Sequence, residues 1–280
     1  MEKYHLKYYE NQSVAQDSSL LQNDDAITFS VLATILQGTC THIYTNHESI
    51  IICYSMPPYP VWIWCKDVSN REDVQKVAEC LKNEFPLEAG YTYNISYELL
   101  YAIKEADNYF TKSEIKTNML SYRLDTIREI AYPCAGKRSL IGEPDKETAI
   151  KLWHDLSFEM LGHDHSEEFC RKKIEHHIEK QTLHCWRNDA GEIVALTDRG
   201  DNEEYSKIGA VYTLPKQRRK GYAINLVHAV SGDILRDGLV PILYTDADYG
   251  ASNSCYKKIG FEQVGSLCTV QGKDTENHGA

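Results

Sequence analysis

Four cations fall within residues 216–220, in the stretch KQRRKGYA: Lys216, Arg218, Arg219 and Lys220, with Gly221 directly behind them. The chain of 280 residues that holds them carries a formal net charge of -11. A cation cluster in an acidic protein points to an anionic ligand. The apolar run before it, KIGAVYTLP, reads as a strand ended by Pro215, which has no N–H for a ladder. After Gly221 the period turns helical, with Ala223, Val227, Val230 and Ile234 on one face, and Arg236 and Gly238 close the helix. At such a junction the first-turn amides lack partners, and the helix dipole adds about half a positive charge. Gly221 permits close backbone approach, Ala223 keeps the next turn small, and Arg218 to Lys220 add positive field. Several consecutive amides suit a pyrophosphate better than a single phosphate. A nucleotide triphosphatase would need a longer glycine-rich loop with Lys-Ser/Thr, and the dinucleotide fingerprint needs three glycines in register. Neither is present.

The neighbours of this loop extend the pattern. AVYTLPKQRRKGYAINLV, then ILYTDAD, then SNSCYKKIGF resemble, in that order and spacing, the GNAT superfamily of acetyl-CoA-dependent N-acetyltransferases. The likeness covers roughly residues 138 to 270 and is most specific from Ile208 to Phe261. It implies that Arg218, Arg219, Lys220, Gly221, Tyr222 and Ala223 bind the coenzyme A pyrophosphate through backbone amides. It also implies that Val211, Tyr212 and Thr213, on a strand splayed from the next one, hold the pantetheine arm and acetyl carbonyl. Tyr256, Gly260 and Phe261 match the family's Tyr-x-x-x-Gly-Phe, which places Tyr256 near the thioester sulfur, and Asn253 matches a polar residue that contacts pantetheine. Tyr249 departs from the asparagine many relatives carry seven residues before that tyrosine.

The chemistry asks for few groups. An amine attacking a thioester must lose a proton from an ammonium whose pKa is about 10.4 for a lysine-like amine, and a thiolate must leave. The Tyr256 phenol suits the departing sulfur, and the amide of Tyr212 or Thr213 suits the carbonyl oxygen. Cys255 reads as a packed thiol rather than a nucleophile. For the base, Asp198, Glu203, Glu204, Asp246 and Asp248 lie on or near strands edging the expected acceptor site, and Asp246 leads because it follows the buried strand ILYT directly. His163 and His165 in GHDHSEEF lack a third metal ligand, and His176 and His177 read as residues of an exposed charged helix without a role, so no metal is expected.

The elements that must position these groups follow from periodicity. Helices at about 145–161, with Ile150, Trp153, Leu156 and Met160 in one stripe, and at about 166–180 precede a hairpin turning at NDAG, then a strand, helix, strand, helix and final strand. YPCAGKRSLIGEPD reads as a connection, which divides the chain into an N-terminal α/β domain (1–134), an acetyltransferase domain (135–272) and a polar tail (273–280). The fold class is α/β with a mixed sheet and splayed central strands. In the first half a helix from about Ser18 to Leu36, three strands, a helix, a strand, a helix and a last strand echo the second half. That order fits either a degenerate acetyltransferase-like repeat, having no Gly-x-Gly or Gly-x-Ala between Trp64 and Val74, or an unrelated small α/β domain. Tyr91, Tyr93, Tyr97, Tyr101 and Tyr109 form either sheet packing or an aromatic wall of the acceptor pocket.

Composition sets the remaining bounds. Hydrophobic residues at 42% and charged residues at 25% suit a globular protein, and no apolar run is long enough to span a bilayer. Without a secretory signal, nine scattered cysteines read as reduced thiols of a cytoplasmic protein. A sequence pI of about 5.5 argues against nucleic acid and leans towards a cationic small-molecule or protein amine as acceptor. The expected activity is transfer of acetyl from acetyl-CoA to a primary amine in a ternary complex, the N-terminal domain shaping the acceptor site or a homodimer. A coenzyme A-binding sensor or interaction module without turnover is the alternative.

Overall fold

The computed structural model describes residues 2–38, 40–131, 134–161 and 165–273. Contacts divide the chain into two compact units, Met1–Ser121 with Thr245–Asp248 and Val264–Ala280, and Tyr122–Tyr244 with Tyr249–Gln263.

The first unit contains β1 (Glu2–Lys3), β2 (Leu6–Gln12), α1 (Asp24–Thr28), α2 (Ser30–Gln37), β3 (Cys40–Thr45), β4 (Ile50–Tyr54), β5 (Val61–Cys65), α3 (Arg71–Glu84), β6 (Tyr93–Ser96), α4 (Tyr97–Ala106) and β7 (Ser113–Arg123), whose last two residues pass into the second unit. β2 to β5 pair antiparallel in succession, and β5 pairs parallel with β6 across α3. β4 reads IIICY without alternation because both its faces are buried. Ile50 and Ile52 pack with Val77 and Leu81 of α3 and Leu100 and Ile103 of α4, while Ile51 and Cys53 pack with Leu32 and Leu36 of α2. Tyr93 belongs to this core and Tyr91 abuts Tyr54 and Phe85, whereas Tyr101 is exposed. Glu84 ties the unit's N-terminal strands to α3, accepting hydrogen bonds from Tyr44 at 2.6 Å, Tyr4 at 2.9 Å and Lys3 at 3.1 Å.

The second unit contains β8 (Lys137–Leu140), α5 (Lys146–Leu161), α6 (Glu167–Lys180), β9 (Leu183–Arg187), β10 (Ile193–Asp201), β11 (Tyr205–Thr213), α7 (Tyr222–Arg236), β12 (Val240–Asp246, its last two residues in the first unit) and α8 (Gly250–Ile259). β8 to β11 pair antiparallel in succession, and β11 pairs parallel with β12 across α7. Ile150, Trp153 and Leu156 of α5, with Cys170 and Ile174 of α6, bury against Leu183, Cys185, Leu196 and Tyr212. Ser166 caps α6 by accepting from the Phe169 amide, and Asn188 closes the β9–β10 hairpin by accepting from the amides of Ala190 and Glu192. The last strand, β13 (Glu262–Gly272), belongs from Val264 onward to the first unit, where it pairs antiparallel with β6 from Ser96↔Leu267 to Tyr93↔Val270. Among the described residues no helix is long and apolar enough to cross a membrane.

The two halves of the chain repeat one order of elements. β2, a helical segment, β3, β4, β5, α3, β6, α4 and β7 match β8, a helical segment, β9, β10, β11, α7, β12, α8 and β13. Each pairing from β2/β3 to β5/β6 has a counterpart of the same sense from β8/β9 to β11/β12.

Several expectations need correction. The helix expected from Ser18 to Leu36 is a 3-10 turn followed by two short helices, because Asn23 at φ 54 and Phe29 at φ -110 interrupt the helical run. The stretch read as a connection contains β8, an edge strand whose KRSL sequence carries little apolar signal. Gly136, at φ 97, brings the chain onto β9 there, since a Cβ would lie 1.9 Å from the Arg187 carbonyl oxygen. Most of the final strand belongs to the first unit because its partner is β6. His163 and the tail beyond Lys273 lie outside the described residues.

Candidate active site

β11 and β12 stay in register for only four pairs, Tyr205↔Val240 to Ile208↔Leu243, and then separate. The cause lies on the other side of β11. Its register with β10 shifts between Leu196↔Tyr212 and Asp198↔Gly209, so β11 carries an extra residue at Ala210 and Val211. Ala210 sits at φ 45, and Thr197 Oγ1 donates to the Gly209 carbonyl at 2.7 Å, pinning the bulge. The Leu214 amide donates to the Val194 carbonyl of β10. By strand alternation the Tyr212 amide also points to β10, which leaves the amides of Val211 and Thr213 facing the gap. Thr213, rather than Tyr212, is therefore the available one of the two expected carbonyl donors.

Beyond Thr213 the chain turns through Pro215–Gln217 and enters α7 behind Gly221. Arg219 at φ 63 and Gly221 at φ 85 are both left-handed, one residue apart. Among the described residues, the amides of Arg219, Lys220 and Gly221 donate to no protein acceptor. Helix geometry leaves those of Tyr222, Ala223 and Ile224 likewise free, and no side chain caps them. Such a row of amides around alternating backbone signs forms an anion-binding concavity. Thr213 Oγ1, buried and without a partner, lies at the strand end beside it. These groups fit a phosphate at the helix end and an adjoining polar chain along β11.

The cations divide by role. Lys216, Arg219 and Lys220 are exposed, Lys220 donating to Gln217 at 2.7 Å. Arg218 instead folds back over the Tyr212 ring, donates from Nε to the Thr213 carbonyl at 3.0 Å and grips both oxygens of Glu159 on α5 at 2.5 and 2.7 Å. It braces the loop, and its charge is already matched. The corresponding helix of the first unit shows the contrast: Asn70 caps α3 by accepting from the amides of Glu72 and Asp73, and that first turn is acidic. No anion is invited there.

α8 places Tyr256 and Asn253, and Gly260 at φ 115 stops it. Tyr256 is 5% exposed and packs with Tyr122 and Phe261. Burial pushes its phenol well above the ordinary value, partly offset by the Ser252 hydroxyl, so it holds its proton at neutral pH. Asn253 is buried, accepting from the Tyr122 hydroxyl at 3.3 Å and donating to the Tyr249 carbonyl at 3.1 Å. Tyr249 is exposed. Burial drives the Cys255 thiol up to about 12, which makes it a poor nucleophile.

The acidic candidates separate by environment. Glu203 and Glu204 are exposed in the β10–β11 turn. Asp246 and Asp248 are exposed residues of the first unit, the Asp248 amide donating to the Asp246 carboxylate and Asn118 to that of Asp248. Asp198 lies mid-strand in β10, opposite Gly209, with Oδ1 buried and, among the described residues, unpaired, and burial raises its pKa. His177, expected to be exposed, is buried: its Nδ1 meets Thr182 Oγ1 at 2.7 Å, its ring packs on Trp153, and Nε2 stands 3.8 Å from Asp198 Oδ2. Its burial was masked by the charged run KKIEHHIEK, in which His177 continues the Cys170 and Ile174 stripe. His165 stacks on Phe169. Glu159, an exposed residue of α5, gave no such signal.

Residues 185–270 match the family model of FR47-like protein. No curated protein matches the chain. Among solved structures, a GCN5-related N-acetyltransferase from Sphaerobacter thermophilus superposes with a TM-score of 0.66 at 12% identity, covering 95% of each chain. A GNAT-family acetyltransferase from Colwellia psychrerythraea gives 0.60 at 13% identity over 95% of this chain and 100% of its own. A Drosophila protein gives 0.65 at 13% identity over 95% and 98%. The fold is that of GNAT-type acetyltransferases.

Proposed function

We propose that the second unit transfers an acyl group, acetyl from acetyl-CoA in the first instance, to a primary amine by direct attack in a ternary complex. The observation that carries this reading is the run of unpartnered amides from Arg219 to Ile224, set behind a bulged strand whose amides at Val211 and Thr213 face an unpaired gap. The loop amides would hold the pyrophosphate of coenzyme A, and Val211, Thr213 and the orphan Thr213 hydroxyl would meet the polar atoms of its arm and the acyl carbonyl. Bound acetyl-CoA supplies the activated acyl group. Tyr256, protonated at neutral pH, donates to the leaving sulfur. Acidic composition favours a cationic acceptor, whether a small amine or a protein amine, in the cytoplasm.

Calorimetric titration with acetyl-CoA, using ATP and desulfo-CoA as comparison ligands, tests the binding half. Micromolar acetyl-CoA binding with weak ATP binding supports it, and no binding at low salt refutes it. Thiol release on adding amines tests transfer. Tight binding without release from any amine would indicate a coenzyme A-binding module instead.

A further inference from the structure

The transfer reaction leaves an ammonium proton without a destination, and the second unit holds a group suited to receive it. Asp198 lies on β10 opposite Gly209, immediately before the β11 bulge. Gly209 leaves its carboxylate room, since a Cβ there would stand 2.8 Å from Asp198 Oδ1. Val211, whose amide faces the gap, is two residues further along β11, at most about 7 Å for extended chain and less across the bulge. One extended amine spans that distance.

The surroundings of Asp198 are those of a working acid–base group rather than a strut. Each second-unit arginine in an ion pair meets a carboxylate at 2.5–2.9 Å, as with Arg138 and Asp233, Arg187 and Asp145, or Arg218 and Glu159, or closer still. Asp198 has no such partner among the described residues: Oδ1 is unpaired, and the neutral His177 imidazole stands with Nε2 3.8 Å from Oδ2, beyond hydrogen-bond reach. Nε2 is likewise buried and unpaired, while Nδ1 is held by Thr182. Lys173 on the same helix, over the Trp153 ring, adds positive potential to both groups, Lys207 on β11 adds to that at Asp198, and His176 to that at His177. A carboxylate and an imidazole left facing each other carry a desolvation cost that a purely structural role does not explain.

Building on the acyl-transfer reading, we infer that the Asp198 carboxylate is the proton acceptor for the incoming ammonium, with His177 as its positioning residue. The ammonium gives one proton to Asp198. The freed amine nitrogen then bonds to the thioester carbonyl carbon as the C–S bond breaks; the sulfur takes the Tyr256 proton, and the phenolate recovers the second proton from nitrogen. Asp198 returns its proton to solvent. Burial raises the carboxyl pKa and so strengthens it as a base, and the rate falls as pH drops through that raised value.

The test uses the full chain with acetyl-CoA and three primary amines (spermidine, glucosamine and lysine methyl ester), following thiol release from pH 5 to 9 beside calorimetric acetyl-CoA binding. Asp198→Asn is expected to bind acetyl-CoA as the wild type does and to lose turnover by about 100- to 1,000-fold, without the wild-type acid limb. His177→Gln is expected to move that limb while leaving acetyl-CoA affinity within about twofold, and it serves as the readout if Asp198→Asn does not fold. Full turnover in Asp198→Asn, or an unmoved limb in His177→Gln, overturns this inference alone. A wild type that binds acetyl-CoA but releases thiol with none of the amines overturns the inference and the transfer reading together, and a wild type that does not bind acetyl-CoA removes the reading beneath both.

Discussion

Gly221→Asp puts the acidic side chain that most helices welcome at their N-cap at the one position where the anion reading forbids it. Two costs follow from the geometry. Gly221 is at φ 85, and a residue with a Cβ in that left-handed region loses roughly 1–2 kcal/mol. The second cost is repulsion: a carboxylate at the N-cap would lie about 5 Å from a phosphate held by the following amides, worth about 3 kcal/mol per charge at an effective dielectric near 20. That is a loss of about 100-fold in acetyl-CoA affinity at low salt, with 1.4 kcal/mol to each factor of ten. Gly221→Ala carries the strain without the charge, so its melting temperature should fall by a similar amount while its affinity changes by less than about tenfold. Calorimetry of both variants at 20 mM and 500 mM salt separates the two costs, because screening should shrink the aspartate effect and leave the alanine effect in place. Gly221→Asp binding acetyl-CoA within threefold of the wild type at low salt would refute the assignment of the anion to this loop.

Tyr256→Phe should leave acetyl-CoA affinity unchanged and cut thiol release by about 100-fold, steady-state kinetics beside calorimetry being the check. His177 and His184 are both held neutral by burial, their pKa values lowered to about 4 from an ordinary 6.5. Between those values the unfolded chain binds more protons. Their contribution, at most roughly 3 kcal/mol each, is therefore full above pH 6.5 and is lost as pH falls towards 4. Urea unfolding of the wild type and His184→Gln at pH 7, 5.5 and 4.5 should show a smaller acid loss in the variant. Glu84 is pushed up by burial but held below the carboxylate range by the hydroxyls of Tyr44 and Tyr4 and by Lys3, so its contribution is present above its unfolded value and lost as pH falls through its folded one. Glu84→Gln, which offers donors where three donors already converge, should destabilise the first unit by about 1–3 kcal/mol at pH 7, read by thermal melting.

The loop and its flanking strand and helix were legible because their signals are local. A proline, a glycine and a cation cluster mark the turn, and the apolar period changes across it. The β9–β10 hairpin and the α6 cap were legible for the same reason, each resting on one polar side chain beside the residues it bonds. What escaped notice depends on residues far apart in sequence. β8 is recognisable only once β9 lies beside it, and β2, with Leu6 as its one fully buried residue, only beside β3. Glu159 becomes significant only when Arg218, 59 positions later, turns back to it. His177 carries no motif, and Asp198, one of five candidate carboxylates in the sequence, is set apart only by the Oδ1 that the folded sheet buries unpaired among the described residues.

The pairing of β13 with β6 bears on how the polypeptide matures. Ser96 meets Leu267, so during synthesis the first unit's sheet keeps an open edge at β6 while some 170 further residues are made. Closure over so long a loop is slow, and an unpaired strand edge invites wrong partners meanwhile. A fragment stopping at residue 134 would therefore be expected to associate or aggregate through β6, whereas adding residues 264–273 in trans as a peptide should suppress that association. The first unit is completed by strands from far downstream, and its quality control in the cell must wait for them.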